Sequence, residues 1–246
     1  MKTRNLLSFI SVFIIALTNA QDVKPPQITR LYEPIPEVVT PGEGTLPPSD
    51  AIVLFNGKDM SGWLHENGKP AEWVASEGVM TVKPKSGHIV SEKSFGDVQL
   101  HIEWRTPEVL TGEGQKRGNS GVWLMSRYEV QILDSYDNET YVNGQAAAIY
   151  KQHIPLVNAC RKPGEWQTYD IIFMAPRFNS SGRVIIPARI TVIHNGVLVQ
   201  NNVELLGSTE NVGSPRVYPP HEEKMPLKLQ DHGNLVSFRN IWVREL

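Results

Sequence analysis

Between Val98 and Arg105 apolar and polar side chains change places at every residue, with Val98, Leu100, Ile102 and Trp104 on one side and Gln99, His101, Glu103 and Arg105 on the other. A period of two belongs to an extended strand that has one face in a core and the other wet. Short runs of this kind, broken by Gly, Asn, Asp and Pro, continue from Ala51 onward, the strand-and-turn pattern of a β-sandwich. Strands are expected at Ile52 to Phe55, Glu72 to Ala75, Val79 to Val82, Val98 to Arg105, Gly121 to Met125, Glu129 to Leu133, Ala147 to Tyr150, Tyr169 to Met174, Arg189 to Ile193, Val197 to Gln200, Leu227 to Gln230 and Leu235 to Val243. Asn195-Gly196, between two alternating runs, supplies the positive φ values of a two-residue hairpin. No long helical stripe competes.

Composition narrows the class. With 40% hydrophobic residues, one core is affordable, and a net charge of -2 with scattered Lys and Arg offers no basic stripe for nucleic acid. Cys160 stands alone, so no internal disulfide forms. Residues 1–20 read as an export signal, with Lys2 and Arg4, an apolar run from Leu6 to Leu17 and the ending Thr18-Asn19-Ala20. That places the mature chain in the periplasm or outside the cell. Nothing later is apolar for the ~20 residues of a membrane span. Residues 21–48 contain Pro25, Pro26, Pro34, Pro36, Pro41, Pro47 and Pro48 and are expected to be an extended leader. A single domain is expected over residues 49–246.

Polar residues gather on the non-core faces of several strands. In Glu129 to Leu133, Val130 and Ile132 point inward while Glu129 and Gln131 share the other face. Asp134 is out of phase with them, and a β-bulge near Leu133 is expected to bring it to their side. Lys228 and Gln230 share a face on a strand that runs into Asp231-His232, and a change of parity between Phe238 and Ile241 indicates a second bulge around Arg239-Asn240. Carboxylates, amides, arginines and an imidazole together suit a polyhydroxylated ligand and proton transfer on it. Trp123 offers a flat apolar face for a sugar ring. The long connections Thr106 to Gly118 and Gly207 to Pro226 are expected as rims of the site.

The ordered motifs Leu54-Phe-Asn-Gly-Lys-Asp-Met-Ser-Gly-Trp63, Glu103-Trp-Arg105, Asn119-Ser-Gly-Val122, Tyr128-Glu-Val-Gln-Ile-Leu-Asp134, Ala148-Ile-Tyr150, Gly164-Glu-Trp166, His194-Asn-Gly196, Leu229-Gln-Asp-His-Gly233 and Phe238-Arg-Asn-Ile241 resemble the 3-keto-disaccharide hydrolase domain family. The resemblance implies a concanavalin-like jelly roll of two curved antiparallel sheets with a sugar groove. It also implies activity on glycosides oxidised to a ketone at C3, with an oxidised glycoside or disaccharide as partner. Ala147 stands where the family often has Gly, and the connection Gly207 to Pro226 is longer than usual.

A C3 ketone acidifies the C2 proton, so a general base can start an elimination that expels the C1 group, and water then completes a net hydrolysis. Glu129, Asp134 and His232 are the candidates for proton transfer. Glu103, Arg105, Asn119, Trp123, Gln131, Tyr150, Gln230 and Arg239 are the candidates for binding, with Arg239, Arg105 and Gln131 suited to orientation or oxyanion support. No cofactor is assigned. Carboxylates with a histidine are compatible with a divalent metal ion, and His221 with Glu222 and Glu223 forms a second, weaker metal candidate. Two other functions fit the same fold. An ordinary glycoside hydrolase would use a carboxylate pair, but the spacing Glu-x-Gln-x-x-Asp puts an amide between the acids. A lectin-like module would bind sugar without the acids.

Overall fold

In a computed structural model of the chain, residues 29–211 and 218–246 are described. The expected export signal at 1–20, the first part of the leader at 21–28 and residues 212–217 of the late connection lie outside them. Residues 29–38 carry no strand or helix.

From Val39 onward the chain packs as one unit. Its strands are β1 (Ile52–Phe55), β2 (Trp63–His65), β3 (Val74–Ser76), β4 (Val79–Thr81), β5 (Ile89–Phe95), β6 (Val98–Arg105), β7 (Ser120–Leu124), β8 (Tyr128–Ile132), β9 (Gln167–Met174), β10 (Arg177–Phe178), β11 (Val184–Ile186), β12 (Arg189–His194), β13 (Val197–Glu204), β14 (Met225–Leu229) and β15 (Ser237–Glu245). An eight-stranded sheet runs β13-β12-β9-β6-β15-β4-β3, with β1 also on β15, and a five-stranded sheet runs β2-β5-β14-β7-β8. All pairings in both are antiparallel. The fold is the expected jelly-roll sandwich; β10 and β11 form a separate ribbon.

The alternating faces close on one another. Leu100, Ile102 and Trp104 of β6 are fully buried, as are Val122, Val130 and Ile132 of the smaller sheet. Trp104 and Tyr169 rings meet at 5.2 Å within the large sheet, and Tyr128 meets Phe173 across the sandwich at 5.6 Å. The buried Tyr169 hydroxyl crosses the core and donates to the Gln131 carbonyl at 2.8 Å, tying β9 to β8. A buried hydroxyl needs such a partner, and here the bond fixes the height of a site strand above the core.

The Asn195-Gly196 hairpin forms, with φ of 52° and 80°. The bulge around Arg239-Asn240 is also present: the β15/β6 register shifts between Arg239 and Trp242, and Asn240 has φ 45°. The bulge expected at Leu133 is not. The β7/β8 register runs without a shift from Leu124↔Tyr128 to Ser120↔Ile132, and β8 ends there. Ala147 to Tyr150 is not a strand either. Left-handed backbone at Ala147 (φ 64°) and Lys151 (φ 57°) breaks the extended run, and the segment docks on β8 through bonds such as Gln131 N–H to the Ala148 carbonyl at 2.9 Å. Glycine adopts such a φ without the strain that a Cβ brings at position 147.

Candidate functional site

The middle of the five-stranded sheet sets three side chains in a row. Trp123 lies opposite Glu129 on one side and Lys228 on the other, while Gly121 lies opposite Gln131. Because neighbours across strands share a face, Glu129, Trp123 and Lys228 all point away from the core. Gly121 makes room for them. A Cβ there would stand 2.4 Å from Glu129 Oε1 and 2.8 Å from Trp123 Nε1. The result is a recess of about 190 Å3 whose floor and near wall are Glu129, Gln131, Trp123 and Gln230, with Asn119, Tyr150, Thr209, Asn211 and His232 around it.

The floor is polar, buried and incompletely paired. Glu129 is 3% exposed, and no described residue hydrogen-bonds to its carboxyl. Burial pushes that carboxyl up to about 8, against the opposing pull of the Lys228 ammonium. Burial likewise lowers the Lys228 pKa, and its Nζ rests 4.0 Å from the Trp123 ring centroid. Gln131 Nε2 donates to Gln115 Oε1 at 3.0 Å and to the Gly144 carbonyl at 3.3 Å, which leaves its Oε1 without a partner. Gln230 Oε1 and Trp123 Nε1 are also buried and unpartnered. Two free acceptors and one free donor on a single floor fit a ligand rich in hydroxyls and carbonyls, since buried polar atoms are otherwise nearly always satisfied.

The rim comes from the connections. Gln115, in the stretch Thr106 to Gly118, holds Gln131 and accepts from Asn119 Nδ2 at 2.7 Å through its backbone carbonyl. Thr209, in the late connection, accepts from the Glu129 backbone N–H at 2.9 Å. Tyr150 meets Tyr141, hydroxyl to hydroxyl, at 2.6 Å. His232 is exposed at the edge, presented by a turn in which Asp231 accepts from Gly233 N–H at 2.8 Å and Gly87 N–H at 3.1 Å.

Seven of the residues singled out in the sequence therefore come together: Glu129, His232, Asn119, Trp123, Gln131, Tyr150 and Gln230. Four do not. Asp134 follows the end of β8 and is 1% exposed, with Oδ2 2.9 Å from Arg117 Nε in an ion pair that lacks hydrogen-bond geometry. Its other oxygen accepts from Tyr136 N–H at 3.1 Å, and burial raises its pKa against the pull of that bond and of Arg117. Glu103, Arg105 and Arg239 belong to the large sheet. Glu103 accepts from Arg239 Nε at 2.6 Å, and the guanidinium groups of Arg239 and Arg105 lie 4.1 and 4.7 Å from the Trp166 ring centroid. Parity within a strand said correctly that these side chains face away from the core, but it carries no information about which sheet the strand joins.

Thr209, Asn211 and Lys228 were not singled out. Lys228 shares its face with Gln230, so the same parity argument reaches it; Thr209 and Asn211 lie in a connection already read as a rim. His221 accepts from the Tyr128 hydroxyl at Nε2 and donates from Nδ1 to the Glu222 carbonyl, both at 2.8 Å, so both ring nitrogens are engaged. Among the described residues, no three His, Cys, Asp or Glu side chains converge as a metal cluster.

A family model for the 3-keto-alpha-glucoside-1,2-lyase-like domain matches residues 50–244. A crystal structure from Parabacteroides distasonis, provisionally named a glycosyl hydrolase, is similar at 51% identity and TM-score 0.85, covering 89% of this chain and 96% of that one. Two further structures from the same organism, with the same provisional name, share the fold. One has 21% identity and TM-score 0.57, covering 80% of this chain and 94% of that one. The other has 24% identity and TM-score 0.56, covering 80% and 99%. No curated protein matches the chain.

Proposed function

This chain belongs to the 3-keto-alpha-glucoside-1,2-lyase-like domain family, and we propose that it cleaves glycosides carrying a ketone at C3 by elimination across C1 and C2. One observation carries the reading. Glu129 is the one carboxylate lining the recess among the described residues, and it is buried without a partner. Glycosidases that work by displacement place two carboxyl groups about the scissile bond, ~5 to 9.5 Å apart. A single proton-transfer carboxyl suits chemistry in which the substrate supplies its own acidity.

The C3 carbonyl withdraws charge from the C2–H bond. Glu129 takes the C2 proton, the electron pair forms an enolate through C3, and the enolate expels the C1 oxygen as the C1–C2 double bond forms. The exposed imidazole of His232, at the rim, returns a proton to the departing oxygen. Water then adds at C1 and a proton at C2, giving the free 3-keto sugar. A carboxyl pushed up to about 8 is a stronger base than a solvated one and stays partly ionised at neutral pH, the range in which proton transfer works best. Trp123 Nε1–H is free to donate to the developing enolate oxygen, while Gln131 and Gln230 accept from sugar hydroxyls. At about 190 Å3 the recess is smaller than the clefts that hold drug-sized ligands, the scale of one sugar ring. Residues 1–20 support export to the periplasm or the medium, where such glycosides would be met.

The test is release of the leaving group from a 3-keto-glucoside and from its unoxidised parent by the same protein. Elimination predicts turnover of the ketone alone, with kcat/KM rising through pH 8. Comparable cleavage of the parent would sink it. Sugar binding without turnover of either substrate would make the protein a lectin-like module.

A further inference from the structure

Beside the recess lies a second hollow of about 720 Å3, whose lining includes Tyr141, Val142, Ile154 and Leu156. The two share a wall. Tyr150 lines the recess and Tyr141 the hollow, with their hydroxyls 2.6 Å apart and their rings edge to face at 6.3 Å. The wall is held in place from below, because the Tyr141 ring packs so closely on Gly144 that a Cβ there would stand 2.0 Å from Cε2. Lys151 Nζ lies 5.9 and 5.4 Å from the two ring centroids.

The walls of the hollow are unusual for a protein surface. Val142, Ile154 and Leu156 leave 57, 57 and 64% of their surface in water, close together and around a cavity. Of the polar side chains of the lining, Gln152, His153 and Gln200 are already committed, while Asn143 and Asn201 stay available. Gln152 donates to the Gly207 carbonyl at 3.0 Å and accepts from Leu206 N–H at 2.8 Å, His153 Nε2 meets the Glu204 carbonyl at 2.7 Å, and Gln200 donates to the Ala147 carbonyl at 3.0 Å. A second sugar ring would find the amides of Asn143 and Asn201 there. An apolar group would find three aliphatic side chains and the tyrosine ring. The volume falls in the range of clefts that accept drug-sized ligands, whereas the recess does not.

We propose that this hollow is the leaving-group subsite, and that the substrates it favours are glycosides of an apolar aryl alcohol. The proposal rests on the recess being where the sugar is cleaved. The sugar ring then occupies the recess, the bond to C1 passes the Tyr150–Tyr141 wall, and the aryl group packs against Tyr141, Leu156, Ile154 and Val142. Removing such a group from water as it binds contributes to affinity through area buried.

Wild type and Leu156→Ser are compared on an aryl 3-keto-glucoside and on methyl 3-keto-glucoside. Leu156 is exposed enough for the change to leave folding intact, and a melting curve verifies that. The expected result is that the aryl-to-methyl ratio of kcat/KM falls about tenfold in the variant. An unchanged ratio overturns the subsite. If wild type turns over neither substrate, the elimination reading fails by itself, and the subsite is judged from binding of the phenyl and methyl glucosides. Tighter binding of the phenyl glucoside that Leu156→Ser abolishes upholds it; equal binding of both by wild type overturns it.

Discussion

Glu129 and Glu103 are one residue type on opposite sheets, 3% and 5% exposed, yet their carboxyl groups are driven in opposite directions. At Glu129 burial acts almost unopposed and the pKa climbs to about 8. At Glu103 burial also pushes upward, but hydrogen bonds from Asn240, Arg239 and Thr45, with the charge of Arg239, outweigh it and hold the group below the usual carboxylate range. Thr45 belongs to the proline-rich stretch that crosses this outer face. Its Oγ1 donates to Glu103 at 3.0 Å, and its carbonyl accepts from Trp242 Nε1 at 3.0 Å and Asn240 Nδ2 at 2.8 Å. Beneath the same cover His101 pairs with Asp170 at 2.6 Å and stacks on Trp242. The difference teaches that burial alone does not make a functional carboxylate. The outer-face cluster has spent most of its hydrogen-bonding capacity on itself and on the strap, with His101 Nε2 its one buried unpartnered atom, whereas the recess has left three such atoms open on its floor.

The largest effect is expected from Glu129→Gln, which should reduce turnover of a 3-keto-glucoside by ~10² or more. The same variant tests the electrostatics. A carboxyl whose folded pKa is raised holds its proton longer in the folded state, so its contribution to stability is complete below the ordinary value of 4.5 and is lost as pH rises through about 8. Melting curves across that window should show wild type losing ground to Glu129→Gln, by on the order of a few kcal/mol at the upper end. Parallel curves would break the contrast with Glu103.

Gly121→Ala comes next. Its new methyl group collides with Glu129 Oε1 and Trp123 Nε1, so turnover should fall ~10-fold or more, with a stability loss of about 1–3 kcal/mol in denaturant titration. A fully active Gly121→Ala would mean that the reacting group does not sit over this floor.

Glu103→Gln should leave turnover in place and lower stability at neutral pH by about 1–3 kcal/mol. Here the sign is reversed. The lowered pKa stabilises the fold above the ordinary 4.5 and loses that contribution as pH falls through the folded value, so wild type and variant should converge in acid. Loss of turnover without loss of stability would return Glu103 to the site. Smallest of all, Thr45→Val removes one hydroxyl from the outer cluster and should cost about 1 kcal/mol in urea unfolding, with kcat unchanged.

Much of the recess was legible because parity is a property of the strand itself. Val130 and Ile132 are buried in the core, and Glu129 and Gln131 line the recess, as alternation requires. Asp134 was misplaced because a bulge at Leu133 and a strand that stops at Ile132 look the same in sequence; the structure chose the second, with Asp134 N–H bonding to the Arg117 carbonyl at 3.2 Å. The segment Ala147 to Tyr150 misled in a similar way, since its apolar residues suit a strand but φ 64° at Ala147 does not.

By itself the sequence determined the class of fold, the hairpin at Asn195-Gly196, the bulge at Asn240, the sided character of each strand and, through its ordered motifs, the family. All of these depend on residues close together along the chain. Only the tertiary structure decided that β14 inserts between β5 and β7, bringing Lys228 to Trp123, and that β6 and β15 carry Glu103 and Arg239 to the other sheet. Sheet membership is set by hydrogen-bonded pairing across long stretches of chain and by the closing of one core, and neither leaves a local mark. Glu129 therefore owes its face to its neighbours in sequence, and its unpaired setting in the recess to strands far from it in the chain.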